Sequence, residues 1–330
     1  MLVYTNFQHH YDDALERVLN FNKFSDENDA SSVFLNGVGT SYPCDNPIKE
    51  KFKNYNYKVH WNHEQPCAWL GADRDFVNYS ADTGNYFDKI FTICPYSANW
   101  VNEIQKNNRF EKIWFPYNLE DAVQTEYEKE YDVLYWGGVH APDHVSILNS
   151  MKNFKYNFLT LGTNHWCYDP GKYSTQENNE ICNMITHINI PRADMWEIIR
   201  KTKILVISNM LYLDPQKIKN IMNIQHWDKN EANKALNYGV MPQLKTRPIE
   251  AAFNKCLMLV KRDPWNLIEH WYEPDKDFIY YDENSELESK INEIINDWDS
   301  YKIIVDNAYK KSINNYTTKH FFDKISLKER

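Results

Sequence analysis

The chain has 330 residues, of which 42% are hydrophobic and 25% charged, and it carries a formal charge of −9. Those proportions exclude a disordered, fibrous or low-complexity protein, and the length suits two domains rather than one core. The acidic balance disfavours a broad nonspecific nucleic-acid footprint, and no apolar run approaches the roughly 20 residues that span a bilayer.

Read in chain order, the first half alternates strands with helical stretches. Strands are expected at residues 2–5, 32–36, 57–61, 89–93 and 113–116, with an amphipathic stretch at 11–20 and a helix from 95 through 104. A charged run at 120–129 reads as a linker, and the alternation then restarts. Strands are expected at 132–136, 156–160, 204–207, 257–260 and 278–281. Helices are expected at 144–151, 193–201, 248–253, 285–296 and 301–316, with a polar, partly helical insertion at 210–245. Strand–helix alternation of this kind builds parallel α/β layers. Two doubly wound domains in tandem are therefore expected, with a boundary near residue 125.

The N-terminus lacks the basic start and long apolar stretch of a signal peptide. Six cysteines, at 44, 67, 94, 167, 182 and 256, are scattered without a CxxC pair. In a chain of this length they read as reduced thiols of a cytoplasmic protein.

The strongest chemical signal is Arg247-Pro-Ile-Glu250-Ala-Ala, opening a helix that leads into the apolar strand at 257–260. A helix start with Arg247 beside it can receive an anion such as a diphosphate, the guanidinium offering a bidentate fork. Glu250, one turn on, can accept two hydrogen bonds from vicinal hydroxyls such as those of ribose. The competing reading is an ordinary helix start with Glu in its first turn.

Tyr131-Asp-Val-Leu-Tyr-Trp-Gly137-Gly138, the Trp196-Glu-Ile-Ile-Arg200 helix before a strand ending at Ser208-Asn209, the Arg-x-x-Glu-Ala-Ala block, Phe278-Ile-Tyr-Tyr-Asp282 and His320-Phe-Phe322 follow one another over residues 131–325. Their order and spacing resemble glycosyltransferases of the GT-B type, in the group-1-like branch that includes the CgeB-like proteins. The resemblance implies an α/β fold of two Rossmann-like domains facing across a cleft. It assigns residues 1–125 to the acceptor, residues 126–300 to a nucleotide-sugar, a UDP-sugar above others, and residues 301–330 to helices packing back on the first domain. It places Glu250 on the ribose and Arg247 on the diphosphate. Gly137 and Gly138 fall under the phosphates and sugar, with Ser208 and Asn209 bordering the donor. Three positions depart from the family: Lys255 stands at its usual glycine, Ile249 at its aromatic, and Pro242 where retaining members often carry a second glutamate.

A base for the acceptor hydroxyl belongs on the N-terminal half. His9, His10, Asp12 and Asp13 follow the first strand, and His63 and Glu64 follow the third. A His beside a carboxylate is a natural general base. Of the residues in these clusters, His10, Asp13 and Glu64 are the candidates for that role, and the cluster after the first strand is favoured. The competing readings are polar loops before a helix or a turn closed by Pro66. No metal site is expected. His60 and His63 fall on opposite faces of a strand, and Asp297-Trp-Asp299 lies in a helical, solvated stretch.

The expected function is sugar transfer without a metal or further cofactor, to a glycan precursor or a hydroxymethylated base in DNA. The basic, aromatic segment at residues 49–58 favours DNA, and the net acidity opposes it. The alternative from a different class is a non-catalytic nucleotide-sugar binder or assembly protein.

Overall fold

The computed structural model describes residues 2–6, 32–37, 53, 57–62, 87–115, 117–139, 141–161, 175–213, 215–224 and 229–326. In chain order the first elements are β1 (Leu2–Asn6), β2 (Ser32–Gly37), β3 (Tyr57–Asn62), β4 (Lys89–Thr92), α1 (Pro95–Gln105) and β5 (Phe110–Lys112). Then come β6 (Tyr131–Trp136), α2 (Pro142–Met151), β7 (Tyr156–Thr160), α3 (Thr175–Met184), β8 (His187–Ile188), α4 (Arg192–Arg200), β9 (Thr202–Ser208) and β10 (Met210–Tyr212). The chain continues with α5 (Pro215–Ile224), α6 (Lys229–Tyr238), β11 (Val240–Pro242), α7 (Arg247–Phe253) and β12 (Leu257–Lys261). It closes with β13 (Ile279–Tyr281), α8 (Asn284–Asn296), α9 (Trp298–Asn315) and α10 (Thr318–Ser326).

These elements fall into two compact units. The first comprises Met1–Leu119, Leu213–Leu244 and Asn315–Arg330; the second comprises Glu120–Tyr212 and Lys245–Asn314.

In the first unit the described strands lie parallel in the order β1-β2-β3-β4-β5, with no reversal among them. The fifth strand sits three residues earlier than its apolar run suggests. Asn102 of α1 grips Phe110 through both backbone groups, at 2.7 and 3.0 Å, and Phe110 pairs with Ile90. Trp114 and Phe115 are buried all the same, as irregular chain, with Trp114 stacked on Tyr316 at 5.7 Å. Hydrophobicity reported burial there, and a side-chain clamp decided which residues pair. α10 belongs to this unit: Thr318 N–H donates to Tyr117 O at 2.8 Å and Lys324 Nζ to Lys112 O at 2.6 Å. The stretch 215–238 forms two helices around the buried Ile218, Met222 and Ala235.

The second unit is a six-stranded parallel sheet in the order β13-β12-β9-β6-β7-β8. From β6 the chain first moves outward to β7 and β8, then crosses back to β9, β12 and β13. The order therefore reverses between β6 and β9. β9 and β12 are covered on both faces: Ile204, Leu205, Leu259 and Val260 all lie within 0% exposure. That double burial explains why both strands read as continuous apolar runs rather than alternating ones.

The charged run at 120–129 is fastened to this second unit. Lys129 Nζ donates to Arg200 O and Lys255 O, both at 2.7 Å, and Arg192 pairs with Asp121 at 3.0 Å. The helix α3 and the two-residue strand β8 had no apolar pattern to announce them. The strand is held by backbone bonds such as Thr186 N–H to Phe158 O at 3.0 Å.

Lys255 occupies a left-handed backbone at φ 50°, just past the end of α7. A glycine suits that position, because a side chain there costs about 1–2 kcal/mol. Lys255 instead pairs with Glu126 and, at 3.5 Å, with Asp306. These contacts bind the charged run to α9 and offset part of the backbone strain.

Candidate functional site

In open parallel sheets, ligands bind beyond the carboxyl ends of the strands where the strand order reverses. In the second unit that point lies between β6 and β9. β6 ends in Trp136 and passes to Gly137 and Gly138, while β9 ends in Ser208 and passes to Asn209. Ser208 is in register with Lys261 at the end of β12. Four of the residues singled out from sequence thus sit on one sheet edge.

Arg247 and Glu250 open α7 and are brought together. Arg247 Nη1 donates to Glu250 Oε2 at 3.0 Å and to Thr246 Oγ1 at 2.9 Å, and Thr246 donates in turn to Glu250 Oε1 at 3.1 Å. The Thr246 hydroxyl serves this pair and makes no helix-capping bond. Arg247 also reaches the strand edge: its Nε donates to Trp136 O at 3.2 Å, and its guanidinium lies 3.6 Å above the Trp136 ring. Glu250 is buried, with 5% exposure, so the ion pair is what makes its carboxylate tolerable there. The arrangement is a buried acceptor and a partly open cation, pre-oriented side by side.

The remaining predicted residues are placed as follows. Gly137 N–H donates to Leu159 O at 3.1 Å, and Gly138 O accepts from the Tyr135 hydroxyl at 2.8 Å. The first amide of this turn is therefore committed to the sheet. Ser208 and Asn209 are both buried. Asn209 Oδ1 accepts from the Lys245 N–H at 3.3 Å, while its Nδ2 has no hydrogen-bond partner among the described residues. His10, Asp13, His63 and Glu64 lie outside the described residues. Asp299 pairs with Lys302 at 2.5 Å and Asp297 accepts from Ser300 at 2.8 Å, the surface role expected of them. Among the described residues no group of three or more His, Cys, Asp or Glu side chains converges, and no helix is long and apolar enough to cross a membrane.

Two features of this edge escaped the sequence. Lys245 is half-buried, and its ammonium is enclosed. Desolvation first, then the Arg247 charge, pushes its pKa down to about 8. Among the described residues no carboxylate compensates it. An unfolded chain keeps this proton up to about 10.5 and the folded one only to about 8. Between those values the unfolded state binds more protons, so stability contributed here rises with pH. Lys245→Met should therefore raise the Tm at pH 7, and that advantage should shrink as the pH climbs towards 10. A pH-independent difference in thermal denaturation would refute the assignment.

The second feature is Asp143 in the first turn of α2. It accepts from Lys261 Nζ at 2.5 Å, from Asn284 Nδ2 at 2.7 Å and from the Tyr212 hydroxyl. One carboxylate thus ties the segments that follow β6, β9 and β13 to the last residue of β12. Burial first, and then Asp143, raises the Tyr212 pKa and keeps its hydroxyl a donor. In sequence these residues look like scattered surface polars, because only the sheet order brings them together.

A family model described as glycosyl transferase-like matches residues 144–326, more than half of the chain. The structure is similar to HepE from Anabaena in complex with UDP-glucose, with TM-score 0.61 and 9% identity over 98% of each chain. It is similar to a mutant TarM from S. aureus in complex with fondaparinux, alpha-GlcNAc-glycerol and UDP, with TM-score 0.56 and 10% identity over 94% of this chain and 58% of that one. It is also similar to the pneumococcal O-GlcNAc transferase GtfA in complex with UDP and GlcNAc, with TM-score 0.55 and 10% identity over 93% of this chain and 58% of that one. The chain thus spans less than two thirds of the TarM and GtfA chains. At such identities the likeness establishes the fold, the parallel α/β architecture of the GT-B type expected from the sequence. No curated protein matches the sequence.

Proposed function

Because the chain belongs to the glycosyl transferase-like family, we propose that it moves a sugar from a UDP-sugar to a hydroxyl acceptor. The observation that carries this reading is the Arg247–Glu250 pair, fixed at the point where the strand order of the second unit reverses. Glu250 holds the ribose hydroxyls, and Arg247 meets the diphosphate. Lys245 adds a second positive charge beside it, and Ser208 and Asn209 border the donor. Gly138 continues the turn from Gly137 under the phosphates.

In the reaction the bond from the sugar C1 to the diphosphate oxygen breaks, and UDP leaves with the electron pair. The acceptor oxygen bonds to C1 and its proton passes to a base. Negative charge grows on the leaving diphosphate, so cations already held there lower the barrier. Arg247 and Lys245 supply that potential, and we place no metal in the step. The base belongs to the N-terminal clusters, with His10, Asp13 and Glu64 among its candidates. The free thiols of the described Cys94, Cys182 and Cys256 support a cytoplasmic location, and the motif order supports the CgeB-like branch.

The acceptor is a glycan, in keeping with the fondaparinux and GlcNAc bound to the similar structures. The basic, aromatic segment at 49–58 supports a second acceptor class, hydroxymethylated DNA. The deciding experiment incubates the protein with UDP-glucose or UDP-GlcNAc and either acceptor, with and without EDTA. Transfer to one acceptor, surviving EDTA to within a few-fold, is expected. UDP binding without transfer or donor hydrolysis would make the protein a binder. Complete loss in EDTA, restored by Mg²⁺ or Mn²⁺, would overturn the account of phosphate neutralisation.

A further inference from the structure

We propose that Trp136 is a positioning residue that turns Arg247 so that a single edge of its guanidinium, Nη2, is offered to the donor phosphates. The inference rests on the donor reading above.

A guanidinium has five N–H donors in a rigid plane. The one on Nε goes to Trp136 O at 3.2 Å, and Nη1 serves Thr246 Oγ1 at 2.9 Å and Glu250 Oε2 at 3.0 Å. Three donors are therefore committed. The two on Nη2 have no partner among the described residues, while the Arg247 side chain retains 21% exposure. The bidentate use of Nε and Nη2, expected of a free arginine, is closed off by the Trp136 carbonyl. The anion meets Nη2 end-on.

Trp136 fixes this plane twice over. Its carbonyl takes Nε, and its ring supports the guanidinium face at 3.6 Å. The platform itself is rigid, because Trp136 is the last residue of β6 and in register with Leu159 of β7. Its own indole Nε1 is buried with no hydrogen-bond partner among the described residues. Buried tryptophan N–H groups usually find one. Among the described residues no hydrogen bond of its own orients the ring, as with four other tryptophans, and the stack on Arg247 is the contact it makes.

The test is a double-mutant cycle between positions 136 and 247, read by UDP titration calorimetry and by chemical unfolding without ligand. Trp136→Met, which keeps bulk and loses the aromatic face, should weaken UDP binding by ~3–30-fold, the range of a cation–π contact. Trp136→Phe should recover most of that loss. In an Arg247→Met background the same Trp136→Met change should cost less than about two-fold, because coupled residues are non-additive. An equal penalty in both backgrounds, or parent-like UDP binding by Trp136→Met, overturns the inference and leaves the donor reading intact. Failure of the parent to bind UDP overturns the donor reading. The ligand-free unfolding cycle then decides for Trp136, and a coupling below about two-fold in the unfolding equilibrium refutes it. Should Trp136→Met not fold, Trp136→Phe carries both cycles, with a smaller loss expected.

Discussion

Glu250→Ala should reduce UDP affinity by on the order of 10²–10⁴-fold, since it removes two charged hydrogen bonds of about 1.5–3 kcal/mol each from the ribose hydroxyls. The carboxylate is only 5% exposed and holds Arg247 at 3.0 Å, so the substitution also releases the cation we propose for the diphosphate. Both losses act on the same ligand. Removing one member of a buried pair also destabilises the fold, by about 3–5 kcal/mol where the pair is fully enclosed. Ligand-free unfolding must therefore be measured beside calorimetry. Glu250→Gln separates the two effects: it keeps the shape and one acceptor oxygen, and should restore folding more than affinity. Parent-like UDP binding by Glu250→Ala would remove the ribose role altogether.

Arg247 and Lys245 differ from Glu250 in what they see during the reaction. The ribose stays neutral from ground state to transition state, whereas the leaving diphosphate gains negative charge. A group that meets growing charge contributes more to turnover than to binding. Lys245 carries a further signature. Its ammonium is desolvated beside another cation, a configuration the free protein tolerates at a loss of stability. On the proposed donor reading, a bound diphosphate brings the missing negative charge.

Much of this arrangement was legible in the sequence because it depends on local pattern. Buried parallel strands read as apolar runs, and Arg247 and Glu250 stand out as charges one turn apart before such a run. What could not be read depends on which strands are neighbours. Asp143, Tyr212, Lys261 and Asn284 are separated by up to 141 residues yet meet at one carboxylate. The Trp136–Arg247 stack spans 111 residues and has no local signal. The fifth strand was displaced for the same reason, since Asn102 chose Phe110 from another element. Lys255 shows the reverse case. Its departure from the family's glycine is visible in sequence, but the ion pairs that accommodate it are not.

The strand order also changes which N-terminal cluster should supply the base. The sequence favours His10 with Asp13, because a loop after the first strand of a doubly wound sheet is expected to border the cleft. Among the described residues of the first unit the order β1-β2-β3-β4-β5 has no reversal, and β1 is at its edge. β3 is the central strand and ends at Asn62, so His63 and Glu64 are the next two residues at its carboxyl end. His10 lies four residues beyond the end of β1. We therefore propose the second cluster, which follows the central strand in sequence, as the source of the base. A positioned general base contributes about 10²–10⁴-fold. His63→Ala should lower kcat by that factor and leave UDP affinity unchanged, with Glu64→Gln giving a smaller loss of the same kind. His10→Ala and Asp13→Asn should then stay within a few-fold of the parent. A large kcat loss confined to His10→Ala would return the base to the first cluster. If none of the four substitutions slows transfer and the product retains its anomeric configuration, neither cluster acts as a base, and the acceptor proton must leave through the donor side of the reaction.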